Sequence, residues 1–242
     1  MIILIIGQSG SGKTRSCKNI KDAAIFQCLP KRLPYKKHDS VVLRPTESLD
    51  AIEEALRYAL STSPRSLFVI DDFQFPILKK LILESKKDGF KCYLDTADNV
   101  IKLLEIAEKS DKRFYFLMNE EKNEGGDITP LTAGKLMKEK FPIEGFFTIV
   151  LRCAKCQDSH FFETRSSNSV VKAPEGLFND DRIDNDIEMV YAAICEFYGI
   201  KNNEKKIINI NRSVSNAVPA FDQAENIQRG FYIKEFEPEI NS

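Results

Sequence analysis

The sequence predicts an α/β protein, a largely parallel sheet flanked by helices with a C-terminal β-hairpin and helix. Three observations predict it. Strand-like apolar runs alternate with stretches of helical periodicity; Ile2-Ile3-Leu4-Ile5-Ile6 passes directly into "GQSGSGKT" at 7–14; and "SLFVIDDF" at 66–73 carries four apolar residues into an acidic pair. Buried parallel strands read as continuous apolar runs of this kind, and open α/β sheets bind ligands beyond the strands' C-terminal ends.

The loop after the first strand is the most specific feature. Gly7, Gln8, Ser9, Gly10, Ser11, Gly12, Lys13 and Thr14 fit G-x-x-x-x-G-K-[ST], between a buried strand and an expected helix. Small residues let the backbone amides of Ser9 to Lys13 curl around a phosphate, and a following helix adds its positive N-terminal end. In that arrangement Lys13 reaches the β- and γ-phosphates and the Thr14 hydroxyl ligates Mg²⁺. The expectation is therefore a nucleotide site, with ATP and Mg²⁺ as cofactors.

The second strand is expected over 23–27, followed by the basic segment "KRLPYKKH". Lys31, Arg32, Lys36, Lys37 and His38 around Tyr35 suit a phosphate backbone with a base stacked on the ring; a solvated loop is the alternative. A short apolar run covers 41–43. Leu49, Ile52, Ala55, Leu56, Ala59 and Leu60 repeat at helical spacing over 48–61, and Pro64 closes that helix.

The strand at 66–73 delivers Asp71 and Asp72 to its C-terminal edge. Asp71 is the candidate metal ligand and Asp72 the group that polarises the attacking water. A further strand at 113–121 brings Asn119 to its tip, where it would hydrogen-bond the γ-phosphate or the water. A charged loop at 120–130 and a short helix around "LTAGKLMKEK" come next. Then 146–152 and 160–166 form a hairpin with "CAKCQDS" at its turn, and a last amphipathic helix spans 184–198. Cys153, Cys156 and His160 have the local look of a zinc knuckle, but a fourth ligand would have to come from Cys28, Cys92 or Cys195; a plain hairpin turn is the alternative.

With 242 residues and 43% hydrophobic content the chain can bury one good α/β core, and a net charge of −1 provides no global basic field for nucleic acid. Any DNA contact then needs a local patch. One domain is expected over 1–200, with 201–242 a polar, flexible tail. The apolar stretches are too short to span a membrane, and a functional loop starting at residue 7 leaves no room for a signal peptide, so a cytoplasmic location is expected. The six cysteines then read as reduced thiols.

From residue 1 to about 199 the chain resembles phage-encoded ATPases with a RecA-like core, a group associated with single-strand annealing and recombination. The resemblance is carried by "GQSGSGKT", Leu33-Pro34-Tyr35, "VIDDF", Gly134-Lys135 followed by "IEGFFTIVLR", "KAPEGLF" at 172–178, and the "NDI" opening the last helix. It implies a P-loop NTPase that hydrolyses ATP with Mg²⁺, forms homo-oligomers, and acts on single-stranded DNA beside a phage annealing or single-strand-binding protein. Lys13, Thr14 and Asp71 match its nucleotide and metal motif, with Asp72 beside them. Where such relatives often carry a histidine near the tip of the fourth strand, this chain has Met118-Asn119. A catalytic glutamate of the RecA type has one candidate, Glu47. Lys135 is the candidate basic residue that a neighbouring subunit would offer to the γ-phosphate, with Arg152 and Arg165 behind it, and "FDQA" at 221–224 fits a subunit-docking pattern.

Two other functions use the same loop. A small-molecule or nucleotide kinase would need an arginine-rich lid, and no such segment stands out. A nucleotide-gated adaptor would bind ATP to order loops for a protein partner, with hydrolysis incidental.

Overall fold

The computed structural model of the chain describes residues 1–84, 89–132, 137–138 and 140–200. In chain order its elements are β1 (Ile2–Gly7), β2 (Ala24–Gln27), β3 (Val42–Pro45), α1 (Leu49–Thr62), β4 (Leu67–Asp71), α2 (Gln74–Glu84), α3 (Gly89–Lys109), β5 (Arg113–Lys122), β6 (Ile128–Pro130), β7 (Ile149–Cys156), β8 (Ser159–Glu163), β9 (Arg182–Asp184) and α4 (Ile187–Tyr198). The sheet runs β3-β2-β4-β5-β1-β7-β8-β9, with β6 paired to β5 off that path. The six strands from β3 to β7 in that order are parallel, and β8, β9 and β6 add antiparallel pairings.

Side-chain alternation divides the interior in two. Ile2, Leu4 and Ile6 of β1 face a core shared with α1, α2 and α3, whereas Ile3 and Ile5 face one closed by α4. Residues 2–6 are all buried, which is why the strand reads as an unbroken apolar run. Each such side chain contributes about 1.5–3 kcal/mol of burial. On the first face Phe26, Phe68 and Phe114 stack across adjacent strands with centroids 6.4 and 5.0 Å apart. On the second, the buried Tyr115 hydroxyl donates to the Ile187 carbonyl at 3.0 Å and so fixes the start of α4.

Local signals account for the helix ends. Ser48 caps α1 by accepting from the Ala51 amide, and Asp186 caps α4 by accepting from the Glu188 amide at 2.9 Å. Gly199, at φ +63°, ends α4 in the left-handed conformation. Helices α2 and α3, which the sequence pattern leaves unassigned, connect β4 to β5.

Two expectations change. The helix expected after Thr14 is a single 3-10 turn, Thr14–Cys17. Ser16 Oγ donates back to the Lys13 carbonyl at 2.6 Å, and Cys17, Ile20 and Ala23 are drawn into the second core before β2 begins. The hairpin turn is also tighter than expected. Strand β7 continues through Cys156, which pairs with Ser159, and leaves Gln157 and Asp158 as the turn, with Gln157 at φ +52°. Among the described residues no helix is long and apolar enough to cross a membrane.

Candidate nucleotide and metal site

Parallel register brings the site together. Gly7 at the end of β1 lies beside Asn119 of β5, and Gln27 at the end of β2 lies beside Asp71 of β4. Four strand ends thus deliver their polar residues to one edge of the sheet, as open α/β sheets do.

Lys13 is buried under its own loop. Its Nζ donates to the Gly7 carbonyl at 2.8 Å, the Gln8 carbonyl at 2.9 Å and Asn119 Oδ1 at 2.9 Å. Burial lowers its pKa, opposed by the nearby acidic groups of Cys153, Asp72, Asp71 and Glu120. Thr14 Oγ1 donates to the Asp71 carboxylate, 3.1 and 3.0 Å from its two oxygens. Burial, and then the charge of Asp72, push the Asp71 carboxyl up to about 6. A hydroxyl and a carboxylate side by side are hard oxygen donors of the kind Mg²⁺ takes. The amides of Ser9, Gly10, Gly12 and Lys13 have no hydrogen-bond partner among the described residues, which suits an anion.

Asp72 sits next to this pair at φ +62°, a left-handed conformation that Asp adopts more readily than most residues. Its Oδ2 accepts from Lys31 Nζ at 2.8 Å and its Oδ1 faces Gln74 Nε2 at 3.4 Å. Gln74, fully buried at the start of α2, also accepts the Asn119 amide at 3.1 Å. One side chain therefore connects the strand ends that carry Asp72 and Asn119. Nothing in the sequence marks Gln74, a single polar residue between two phenylalanines.

The hairpin supports the loop from the other side. Cys153 Sγ donates to the Ser11 carbonyl at 3.1 Å, and His160 Nδ1 lies 2.6 Å from the same oxygen. Asn185 Nδ2 donates to Cys153 Sγ at 3.2 Å. Past the 3-10 turn, Asn19 Nδ2 donates to Asp186 Oδ2 and ties this stretch to the cap of α4. Gly12, at φ +108°, is packed so closely that a Cβ would lie 2.6 Å from His160 Nδ1. Cys153 and His160 thus buttress the loop, while Cys156 is exposed near the hairpin turn. Among the described residues no group of three or more His, Cys, Asp and Glu is placed to hold a metal ion, and all six cysteines are free.

The remaining candidates are engaged in other contacts or lie outside the described residues. Glu47 follows β3 at the far edge of the sheet, four strands from β1, and pairs with Lys79 at 2.9 Å; the structure does not bring it to the loop. Lys135, the tail from 201 and "FDQA" at 221–224 lie outside the described residues. Arg152 is held by both Glu120 oxygens at 2.8 and 2.9 Å and by Glu163 at 3.0 Å. Arg165 pairs with Asp181 at 2.9 Å. Clefts of about 450 and 780 Å³ lie beside Arg165 and beside β6, and neither is lined by Lys13, Thr14 or Asp71.

No protein-family model matches the chain, and no curated protein matches it.

Proposed function

We propose that the chain is a P-loop NTPase with a RecA-like core, a Mg²⁺-dependent ATPase acting on single-stranded DNA in phage recombination, annealing or replication. The observation that carries this reading is the convergence of Lys13, the Thr14–Asp71 pair and the unpaired amides of Ser9, Gly10, Gly12 and Lys13 at one sheet edge. The position of β5 between β1 and β4 supports it, because Asn119 then lies between the loop and the acidic pair. The DNA, the homo-oligomer, the annealing or single-strand-binding partner and the cytoplasmic location come from the family resemblance.

Each side chain has a task in this reading. The loop amides and Lys13 bind the phosphates and hold their charge. Thr14 and Asp71 would hold Mg²⁺, which when bound neutralises charge building on the phosphate oxygens. Asp72 accepts a hydrogen bond from the attacking water and orients it toward the terminal phosphorus. Asn119 anchors Lys13 through Oδ1, while its Nδ2, unpartnered among the described residues, is available to the γ-phosphate.

The test is ATP hydrolysis by the purified protein with and without single-stranded DNA at low salt, beside Lys13→Ala. The expected result is a DNA-stimulated rate that the substitution abolishes. Hydrolysis indifferent to DNA, or binding without turnover, overturns the reading and favours the kinase or adaptor.

A further inference from the structure

The segment that leaves β2 is anchored at Lys31 by every polar group of that residue. Its amide donates to the Leu29 carbonyl at 2.8 Å, its carbonyl accepts Gln27 Nε2 at 3.0 Å, and its Nζ donates to Asp72 Oδ2 at 2.8 Å. The ammonium also lies 5.7 Å from the centroid of Phe75. Gln27 is the register neighbour of Asp71, so adjacent strand ends direct Lys31 across the sheet edge onto the acidic pair.

Exposure across this ion pair is lopsided. The Lys31 side chain is 59% exposed and that of Asp72 only 12%. An anion arriving from solvent therefore reaches the ammonium without reaching the carboxylate. The neighbouring residues supply the rest of an anion surface. Arg32, Lys36 and Lys37 are exposed and form no ion pair among the described residues, and Asp39 is the one acid in the stretch 31–39. Tyr35 does not offer its ring as a stacking platform, because it packs against the second core. What remains is a segment with four exposed cations within seven residues, suited to backbone phosphates rather than to bases.

We propose that residues 31–37 bind the phosphate backbone of single-stranded DNA and that Lys31 is shared between that strand and Asp72. The inference rests on the proposed function, both for single-stranded DNA as the ligand and for Asp72 as the residue that orients water. In the DNA-free protein Lys31 occupies the oxygen Asp72 would use. A bound strand draws the ammonium away, while Gln74 on Oδ1 keeps the carboxylate oriented, and Oδ2 becomes free for water. Stimulation by DNA then results from competition for one cation, with no movement of the sheet.

A double-mutant cycle on the full chain tests it, with labelled oligo(dT) binding at low salt as the readout for wild type, Lys31→Met, Asp72→Asn and the double variant. Lys31 is surface-exposed and Asn tolerates the left-handed conformation at position 72, so the variants should fold. Asp72→Asn should tighten oligo(dT) about two- to fivefold, the range an exposed ion pair releases, and should change nothing in the Lys31→Met background. Equal tightening in both backgrounds shows a general charge effect and overturns the proposal, as does no tightening or no oligo(dT) binding by wild type. ATP turnover is the second readout. Lys31→Met should raise the DNA-free rate and flatten its response to DNA, and an unchanged DNA-free rate overturns the release of Asp72. A coupled cycle in a protein that hydrolyses no ATP supports the sharing of Lys31 and removes the hydrolase reading alone.

Discussion

Lys13 Nζ and Asn119 Oδ1, 106 residues apart in the chain, meet at 2.9 Å because β1 and β5 are register neighbours ending in Gly7 and Asn119. Asn119→Ala removes one of three acceptors from Lys13 and, on the proposed function, the amide available to the terminal phosphate. Turnover should fall about a hundredfold, as when one preorganised donor is deleted. ATP affinity should fall much less, since the loop amides are untouched. A coupled ATPase assay and a nucleotide titration on the same variant separate the two effects.

Gln74→Leu tests the buried connection between Asp72 and Asn119. The substitution leaves the Asn119 amide without its acceptor, a loss of about 1–3 kcal/mol for a buried group. Thermal unfolding should shift down by several degrees. Turnover should also drop, because the side chain that holds Asp72 Oδ1 is lost with it.

Gly12→Ala meets two independent obstacles, a left-handed φ of +108° and a contact 2.6 Å from His160 Nδ1. Strain alone is about 1–2 kcal/mol for an L-residue at positive φ. The variant should lose nucleotide binding as well as stability. Adding His160→Ala should relieve the crowding and restore part of the stability, while the backbone strain persists; urea titrations of the two variants measure the difference.

Arg152 neutralises two glutamates at once, one of them, Glu120, with a side chain only 5% exposed. Arg152→Met strands those carboxylates and should destabilise the protein by about 3 kcal/mol, the lower end for breaking a buried pair. Arg152→Met with Glu120→Gln should be more stable than Arg152→Met alone. Denaturant midpoints decide this, and equal midpoints for wild type and Arg152→Met would show the triad to be energetically idle.

Burial raises the pKa of the Cys17, Cys28 and Cys153 thiols. These groups stay protonated in the native state while the unfolded chain ionises near pH 8.5. The native state then holds more protons, so stability is intact below that pH and falls as pH rises above it. Melting temperatures measured from pH 7 to 10 should bend downward above about 8.5, and Cys17→Ala should soften the bend.

The parts of this architecture that the sequence discloses are those set by contiguous residues. The apolar runs of β1 and β4 are legible because both faces of those strands are buried. The stretches of α1 and α4 are legible because their apolar residues recur three or four positions apart in the chain. Gln74, the Glu120–Arg152–Glu163 triad and the buttress of Cys153 and His160 are not legible, since each depends on strands distant in sequence becoming neighbours in space. The helix expected after Thr14 fails for a related reason. Its motif specifies the loop, but the demand of the second core for Cys17, Ile20 and Ala23 sets the path of the chain from Thr14 to β2.

The place of β1 in the sheet also bears on the order in which the molecule can assemble. Ile2 must wait for Phe114 on one side and Ile3 for Ile149 on the other, so the strand that leads into the loop is translated well before either neighbour exists. During synthesis β2, β3 and β4 can pair among themselves, whereas β1 remains an apolar ribbon with an open edge until β7 has been made. Long-range pairing of this kind slows folding and exposes sticky intermediates. Chaperone dependence during translation, and aggregation of chains truncated before residue 149, are the expected mark of that arrangement.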